Sequence, residues 1–385
     1  MLSVRKLYWP AINIVGPGAL KEAGAEIAKM GLKKALIVTD AVLNKLGVVK
    51  NVEDALNEHH IQFHVYDNVQ PNPTMKNCHD GLDAFNANTC DFLISVGGGS
   101  PQDCAKAIGI LKTNGGKISA YEGVFKSKNK SVPIIAINTT AGTASEVTIN
   151  YVITDEERHI KMVMVDANCL ATIAVNDPLL MMAKPPQLTA ATGMDALTHA
   201  IEAFVTAGAF ELSDTLDLQA MKLIVESLET AVKDGQNVEA RSKMAWASFI
   251  AGLSFSNAGL GIVHSMAHQL GSEYNMPHGM ANAILLPYVE EFNLEARPEK
   301  TKKLAEVFGI STQNLSAGEI KTAVIDYLKS LSAKVGIPKG LREMGVKEED
   351  FGKLADQALR DVCTGGNPRP VTKEDIIAIY KHAMQ

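Results

Sequence analysis

Leu93-Ile94-Ser95-Val96-Gly97-Gly98-Gly99-Ser100-Pro101-Gln102-Asp103 is the stretch that decides how the first half of this chain folds. The segment Phe92 to Val96 is short, apolar and rich in aromatic or β-branched residues, as a strand buried on both faces of a parallel sheet should be. It runs straight into three glycines and then a helical pattern from Cys104 to Leu111. Ser100 reads as the N-cap of that helix, Pro101 as its first residue, and Asp103 as the third member of a capping-box-like arrangement. Glycines ahead of a helix let a large group approach the backbone and the helix N-terminus, a ready site for a diphosphate. A triple glycine is a weak signal alone and is not the G-x-G-x-x-G fingerprint. Its place behind a buried strand strengthens it.

The same alternation continues on either side. Ala35 to Thr39, Gln62 to Tyr66 and Val132 to Ile137 read as further strands, and Ala19 to Met30, Val49 to His59 and Met75 to Asn86 as helices between them. Repeated βα units in a chain this long predict a parallel sheet with crossover helices, a Rossmann-like α/β domain. Two more features fall at strand ends. Asp40 follows Ala35 to Thr39 at the carboxyl edge, where such sheets bind ligands; a carboxylate there could bond a ribose and would repel a 2′-phosphate, favouring NAD over NADP, though it also suits a helix cap. The run from Asn138 through Thr139, Thr140, Gly142, Thr143 and Ser145 to Glu146 is built of small and hydroxyl residues able to line a cofactor, or to form a tight polar loop.

After Asp177-Pro178 and Pro185-Pro186 the strand signals vanish. Leu188 to Thr206, Ser213 to Asp234, Val238 to Asn257, Val263 to Tyr274, Lys300 to Phe308 and Ala317 to Val335 read as helices. The expectation is an α/β domain over residues 1–185 and an all-helical domain over 186–385, with a cleft between them for the site.

The helical half carries the chemistry. Asp195 and His199 are four apart and share a helix face, His264 and His268 repeat the spacing, and His278 follows in Pro277-His278-Gly279. Any one of these alone reads as a hydrogen-bonded core residue. Together, in an apolar and small-residue context, they point to a bound ion, because buried titratable groups must be paired. Carboxylate and imidazole ligands offered by facing helices build metal sites of this kind, and imidazole with one carboxylate suits Fe(II), Zn or Mn.

Composition limits the alternatives. The chain has 385 residues, 46% hydrophobic and 21% charged, and 37 basic against 43 acidic side chains leave a net charge of −6. That balance disfavours a nucleic-acid partner. No apolar run approaches the roughly 20 residues of a membrane span, and the N-terminal segment places no apolar stretch behind its charges as a secretory leader would. Five scattered cysteines without a C-x-x-C pair fit a reducing cytoplasm better than a disulfide framework.

At Gly97 to Pro101, Thr139 to Thr143, Ala190 to His199, and the run from Gly259 through His264, His268 and Pro277-His278-Gly279 to Asn282-Ala283, the chain resembles the iron-containing (group III) alcohol dehydrogenases. The resemblance covers nearly the whole chain and is greatest to the lactaldehyde reductase and 1,3-propanediol dehydrogenase branch, with residues 148–155 and 361–369 looking particularly like the lactaldehyde reductases. It implies NAD(H) and Fe2+, with Zn2+ as the other candidate ion. Asp195, His199, His264 and His278 then correspond to the metal ligands and His268 to a catalytic residue near substrate and nicotinamide. Asp40, Asn72, Gly97, Gly98, Gly99, Ser100, Thr139, Thr140, Thr148 and Lys161 correspond to NAD contacts, and Asn150, Phe255, Leu260 and Cys363 to the substrate pocket. Three residues depart from the pattern: Ala144 stands where Gly is common, Tyr288 where His is common, and Gln269 where lactaldehyde reductases often have Pro. The resemblance implies interconversion of short-chain alcohols or diols and aldehydes, most directly lactaldehyde and 1,2-propanediol, with 1,3-propanediol or ethanol and butanol as alternatives. It also implies a homodimer or larger assembly. Glycerol dehydrogenase or dehydroquinate synthase chemistry, and a non-catalytic NAD- and metal-sensing protein, are the competing readings.

Overall fold

In a computed structural model describing residues 4–158 and 160–385, the chain forms two compact units, Met1–Ala183 and Lys184–Gln385. Residues 1–3, where the segment expected not to be a leader begins, lie outside the described residues.

The first unit runs β1 (Ile12–Val15), α1 (Ala19–Lys29), β2 (Lys34–Val38), α2 (Ala41–Lys45), α3 (Val48–Glu58), β3 (Gln62–Tyr66), α4 (Met75–Ala87), β4 (Phe92–Gly97), α5 (Gly99–Asn114), β5 (Gly123–Val124), β6 (Ile134–Asn138), β7 (Asn150–Asp155), β8 (Ile160–Val165) and β9 (Ile173–Asn176). Six strands form one parallel sheet in the order β1-β9-β6-β4-β2-β3. The period of two sorts its side chains. Phe92, Ile94 and Val96 of β4 join Ile27 of α1 and Val52 and Leu56 of α3 on one face. Leu93 joins Phe85 of α4 and Ile108 and Leu111 of α5 on the other. Helices on both faces explain why the strands are continuously apolar. Moreover, β2 leads outward to β3 while β4 leads across to β6, so the winding reverses between β2 and β4. At such a reversal the carboxyl ends of the strands leave a crevice.

The strands read from sequence correspond to β2, β3, β4 and β6. Among the described residues the structure adds β1, β5, β7, β8 and β9. Strands β7 and β8 pair antiparallel from Asn150↔Val165 to Asp155↔Ile160 and build a separate three-stranded sheet with β5. Their burial alternates, so polar residues interrupt the continuous apolar run that marks a strand buried on both faces.

The second unit is helical among its described residues: α6 (Pro186–Val205), α7 (Glu211–Lys233), α8 (Val238–Ala258), α9 (Ile262–Tyr274), α10 (His278–Asn293), α11 (Pro298–Val307), α12 (Ala317–Lys334), α13 (Phe351–Ala358) and α14 (Lys373–His382). Helices α6, α8, α9 and α10 are apolar nearly all round and correspondingly buried. Among the described residues no single helix is long and apolar enough to cross a membrane.

Candidate active site

Helix α6 carries Asp195 and His199 one turn apart, both buried, and α9 brings His264 to meet them. His278 opens α10, next to a residue that permits close approach: a Cβ on Gly279 would stand 2.4 Å from the Ala191 carbonyl oxygen of α6. Any larger residue would push α10 away. As a result the ligand atoms of Asp195, His199, His264 and His278 all lie within 4.8 Å of one another. The Nε2 atoms of His264 and His199 are 2.9 Å apart, and His278 Nε2 is 3.5 Å from Asp195 Oδ1.

This donor set fits a divalent cation. Asn282 Nδ2 lies 2.7 Å from Asp195 Oδ1 and 3.1 Å from Nε2 of both His264 and His278. One amide nitrogen with two hydrogens thus faces three acceptors, and two imidazole nitrogens face each other beside them. Such a convergence of lone pairs calls for positive charge at its centre. Burial pushes Asp195 up to about 6 against the pull of His264 and Asn282. Burial by itself would lower His264, but the Glu202 carboxylate, helped by Asp195, more than reverses this and holds it above its ordinary value. The carboxylates that stabilise a proton here would equally stabilise a metal ion.

Glu202, missed in the sequence, sets the orientation of His264. Its Oε2 accepts from His264 Nδ1, and its Oε1 accepts from the Val263 backbone N–H at 2.7 Å. With Nδ1 so engaged, Nε2 is turned toward Asp195 and His199. A signal was present: Glu202 falls three residues after His199 and seven after Asp195, on the same helix face.

His268, one turn beyond His264, is turned elsewhere. Its Nδ1 is 2.8 Å from Asp361 Oδ2, and its ring stacks on that of His278 at 5.5 Å between centroids. Asp361 caps the 3-10 turn Val362–Gly366 by accepting from the Cys363 N–H at 2.9 Å. The nearby His268 holds the Asp361 carboxyl below its usual range despite burial, whereas burial and Asp361 push the Cys363 thiol well up. The Phe255 ring stacks on His199 with centroids 4.2 Å apart. Leu260 is buried in the turn between α8 and α9, where its carbonyl accepts from the Thr206 hydroxyl at 3.2 Å.

The remaining expected contacts lie in the first unit. Asp40 lies two residues past the end of β2, accepts from the N–H groups of Val42 and Leu43 as the cap of α2, and bridges to Asn68. Asn72 lies in the loop between β3 and α4. Gly97 closes β4, Gly98 caps α5 and Gly99 begins it. A Cβ on Gly98 would meet Thr140 Cγ2 at 2.9 Å, so only glycine lets the two loops touch. The Thr139 N–H bonds the Gly97 carbonyl at 3.1 Å, and Thr140 is fixed by Asn138 Oδ1 at 2.9 Å. Lys161 on β8 is lowered by burial to about 8, with Asp103 partly offsetting.

The capping box expected at Ser100 and Asp103 is not formed. Helix α5 begins two residues earlier, with Gly98 as a cap that offers no side-chain acceptor. Ser100 donates its hydroxyl to the Pro71 carbonyl instead. Asp103 accepts from the Ser145 hydroxyl at 2.7 Å and the Val152 N–H at 2.9 Å. Tertiary partners outcompeted the local cap, and the first N–H groups of α5 are left without a side-chain acceptor, which is what an anion needs. Lys106, also missed, is buried and holds the Ser145 hydroxyl at 2.9 Å, the Thr148 hydroxyl at 3.1 Å and the Asn150 carbonyl at 2.7 Å. Thr148 and Asn150 are therefore tied to the loop scaffold by one cation.

Residues 10–178 match the model of the iron-containing alcohol dehydrogenases, and residues 189–384 match the C-terminal model of the Fe-containing alcohol dehydrogenase family. The chain is 46% identical over 377 residues to the NAD-dependent methanol dehydrogenase of Bacillus methanolicus, covering 98% of this chain and 99% of that one. It is 46% identical over 370 residues to lactaldehyde reductase of Escherichia coli (strain K12), covering 96% of each. Among solved structures, 1,3-propanediol oxidoreductase matches with a TM-score of 0.97 and 46% identity, covering 99% of this chain and 100% of that one. With both halves matched and near full-length identity at this level, the chain belongs to the iron-containing alcohol dehydrogenase family and is an oxidoreductase acting on alcohols.

Proposed function

We propose that this protein interconverts short-chain primary alcohols or diols and their aldehydes with NAD(H) and Fe2+, and that lactaldehyde and 1,2-propanediol are its preferred pair. The observation that carries the reading is the convergence of one buried carboxylate and three imidazoles, Asp195, His199, His264 and His278, within 4.8 Å. The full-length likeness to lactaldehyde reductase supports the substrate. The likeness to 1,3-propanediol oxidoreductase favours 1,3-propanediol as the second reading.

When bound, the divalent ion supplies Lewis-acid polarisation of the substrate oxygen and NAD(H) supplies the hydride chemistry. The four ligands hold the ion, and Glu202 fixes the ring of His264 among them. The N-terminus of α5 and the loop from Gly97 to Ser100 bind the diphosphate through backbone N–H groups. Asp40, Asn72, Thr139, Thr140 and Lys161 complete the cofactor site, while Thr148 fixes its loop through Lys106. Asn150, Phe255, Leu260 and Cys363 border the substrate. Asp361 accepts from Nδ1 of His268, leaving Nε2 to hold or release the proton exchanged with the substrate oxygen. The cytoplasmic setting belongs to the same proposal and is supported by five cysteines that are all free, four of them buried. So does assembly as a homodimer or larger, tested by light scattering on the purified protein.

The experiment is NADH oxidation by protein purified without oxygen and loaded with Fe2+, comparing lactaldehyde, 3-hydroxypropionaldehyde and acetaldehyde. A preference for lactaldehyde supports the substrate. A preference for 3-hydroxypropionaldehyde transfers the assignment to the second reading, and no turnover of any aldehyde overturns the catalytic reading in favour of a sensor.

A further inference from the structure

His268, Asp361 and Cys363 form a second group whose ligand atoms all lie within 4.8 Å of one another. The donors differ in kind from the first set: one imidazole, one carboxylate and one thiol, against three imidazoles and one carboxylate. We propose that His268, Asp361 and Cys363 form a second cation site, selective for thiophilic ions such as Zn2+ and Cd2+, whose filling withdraws His268 from the reaction and inhibits the enzyme. The binding claim is independent of the proposed activity; the inhibition rests on the role given there to His268.

The site is built rather than accidental. Asp361 is fixed by the Cys363 N–H at 2.9 Å and by His268 Nδ1 at 2.8 Å. The turn carrying both residues is held to α9 by the Thr364 and Ser265 hydroxyls at 2.7 Å, and by the Ile262 N–H bonding Asn367 Oδ1 at 3.3 Å. Asn367 is paired in turn with Asn293 of α10 at 2.9 and 3.0 Å. A tetrahedral zinc ion with Zn–N near 2.0–2.1 Å and Zn–S near 2.3 Å needs donor separations of about 3.3–3.7 Å. The imidazole and carboxylate, 2.8 Å apart, must part by about half an ångström, the thiol, within 4.8 Å of both, must stand at about 3.6 Å, and water completes the fourth position.

Charge favours two ions side by side despite rings only 5.5–6.2 Å apart between His268 and its neighbours His278 and His264. A divalent ion on the first set leaves a net charge of plus one. A divalent ion on Asp361 carboxylate and Cys363 thiolate is neutral, so it adds no net charge beside the first. Binding expels the thiol proton to solvent and moves the His268 ring proton from Nδ1 to Nε2, so that the imidazole binds as a neutral ligand with Nε2 no longer free to accept a proton; nothing is oxidised or reduced. Softness separates the sites, because thiolate prefers Zn2+ and Cd2+ whereas imidazole with carboxylate accommodates Fe2+.

Sulfur gives the test its specificity. Cd2+ is titrated into protein already holding one equivalent of Fe2+, and the ultraviolet sulfur-to-metal charge-transfer band, the retained iron and NADH-dependent turnover are followed together. The expected result is a band saturating at one Cd2+ per chain with iron retained and turnover falling about tenfold or more in step. Cys363→Ser and Asp361→Asn should each lose the band while still taking up one Fe2+. Zinc-edge X-ray absorption on the unmutated protein gives a second measurement that no folding defect can disturb, with one sulfur scatterer expected at about 2.3 Å. Absence of the band, its survival in Cys363→Ser, or a zinc shell without sulfur overturns the site. Displacement of Fe2+ by Cd2+ with no band does the same, since the first donor set contains no sulfur. Iron-loaded protein that turns over no aldehyde yet shows the band refutes the proposed function and leaves the second site standing.

Discussion

Glu202 of α6 accepts from Nδ1 of His264 and, through its other oxygen, from the Val263 backbone N–H at 2.7 Å, so one carboxylate both orients a metal-ligand candidate and caps the helix that carries it. Replacing Glu202 by Gln retains the acceptor for the backbone and weakens the bond to the ring. Metal affinity should fall about 10–100-fold, measured by competition with a chromogenic chelator, while the melting temperature changes little. Unchanged affinity would show that His264 is oriented by packing alone.

His268 and Asp361 should separate from the ligands in their kinetics. His268→Ala should lower kcat by about 10²–10⁴-fold with metal content preserved, whereas His264→Ala or Asp195→Ala should remove metal and activity together. Asp361→Asn leaves the ring in place with a neutral partner in contact with Nδ1, so kcat should drop while KM for aldehyde holds. Metal analysis beside steady-state rates checks both, and loss of iron in His268→Ala would make that residue a ligand.

The buried Lys106 ammonium is surrounded by Ser145, Thr148 and the Asn150 carbonyl. Burial lowers it, and Asp103 and Glu146 help to offset this. Lys106→Met strands three acceptors and uncompensates Asp103, at a cost of about 3–5 kcal/mol, read by denaturant unfolding. Because the same cation holds Thr148 and Asn150, KM for NADH should rise more than KM for the aldehyde. Equal changes in both would limit Lys106 to stability.

Asp217 on α7 is fully buried, and among the described residues neither of its carboxylate oxygens has a donor in hydrogen-bonding geometry; the nearby Ser254 hydroxyl, whose acceptor is the Ser213 carbonyl at 3.3 Å, offsets the burial only in part. Burial pushes the carboxyl well above its ordinary value. An acid raised in the folded state keeps a proton that the unfolded chain releases above about pH 4. Stability therefore declines as pH rises from there toward the folded value. Asp217→Asn should flatten this slope and stabilise the protein at pH 8 by about 1–3 kcal/mol, checked by melting curves across pH. A parallel pair of pH profiles would refute the argument.

How far the sequence could be read differs from residue to residue. The apolar run at Phe92 to Val96 and the glycines behind it announced a buried strand and a helix start, because backbone geometry leaves few alternatives. The i, i+4 spacing placed Asp195 with His199 and His264 with His268 on shared faces. Spacing could not tell that His264 turns toward His199 while His268 turns toward Asp361, 93 residues further on. Ser100 and Asp103 show the opposite failure: their local pattern fitted a cap, and Pro71, Ser145 and Val152 offered better partners.

The sequence alone determined the α/β-then-helical order, the glycine loop and the residue types able to hold a cation, since these follow from periodicity and side-chain chemistry along a short stretch. Tertiary structure alone decided which donors converge, that Glu202 and Asn282 govern the first set, and that Cys363 meets His268. The deciding contacts among these join residues far apart in the chain, 18 positions between Asn282 and His264 and 95 between His268 and Cys363. Their energies depend on burial and on distances of about 3 Å, and no local pattern encodes either.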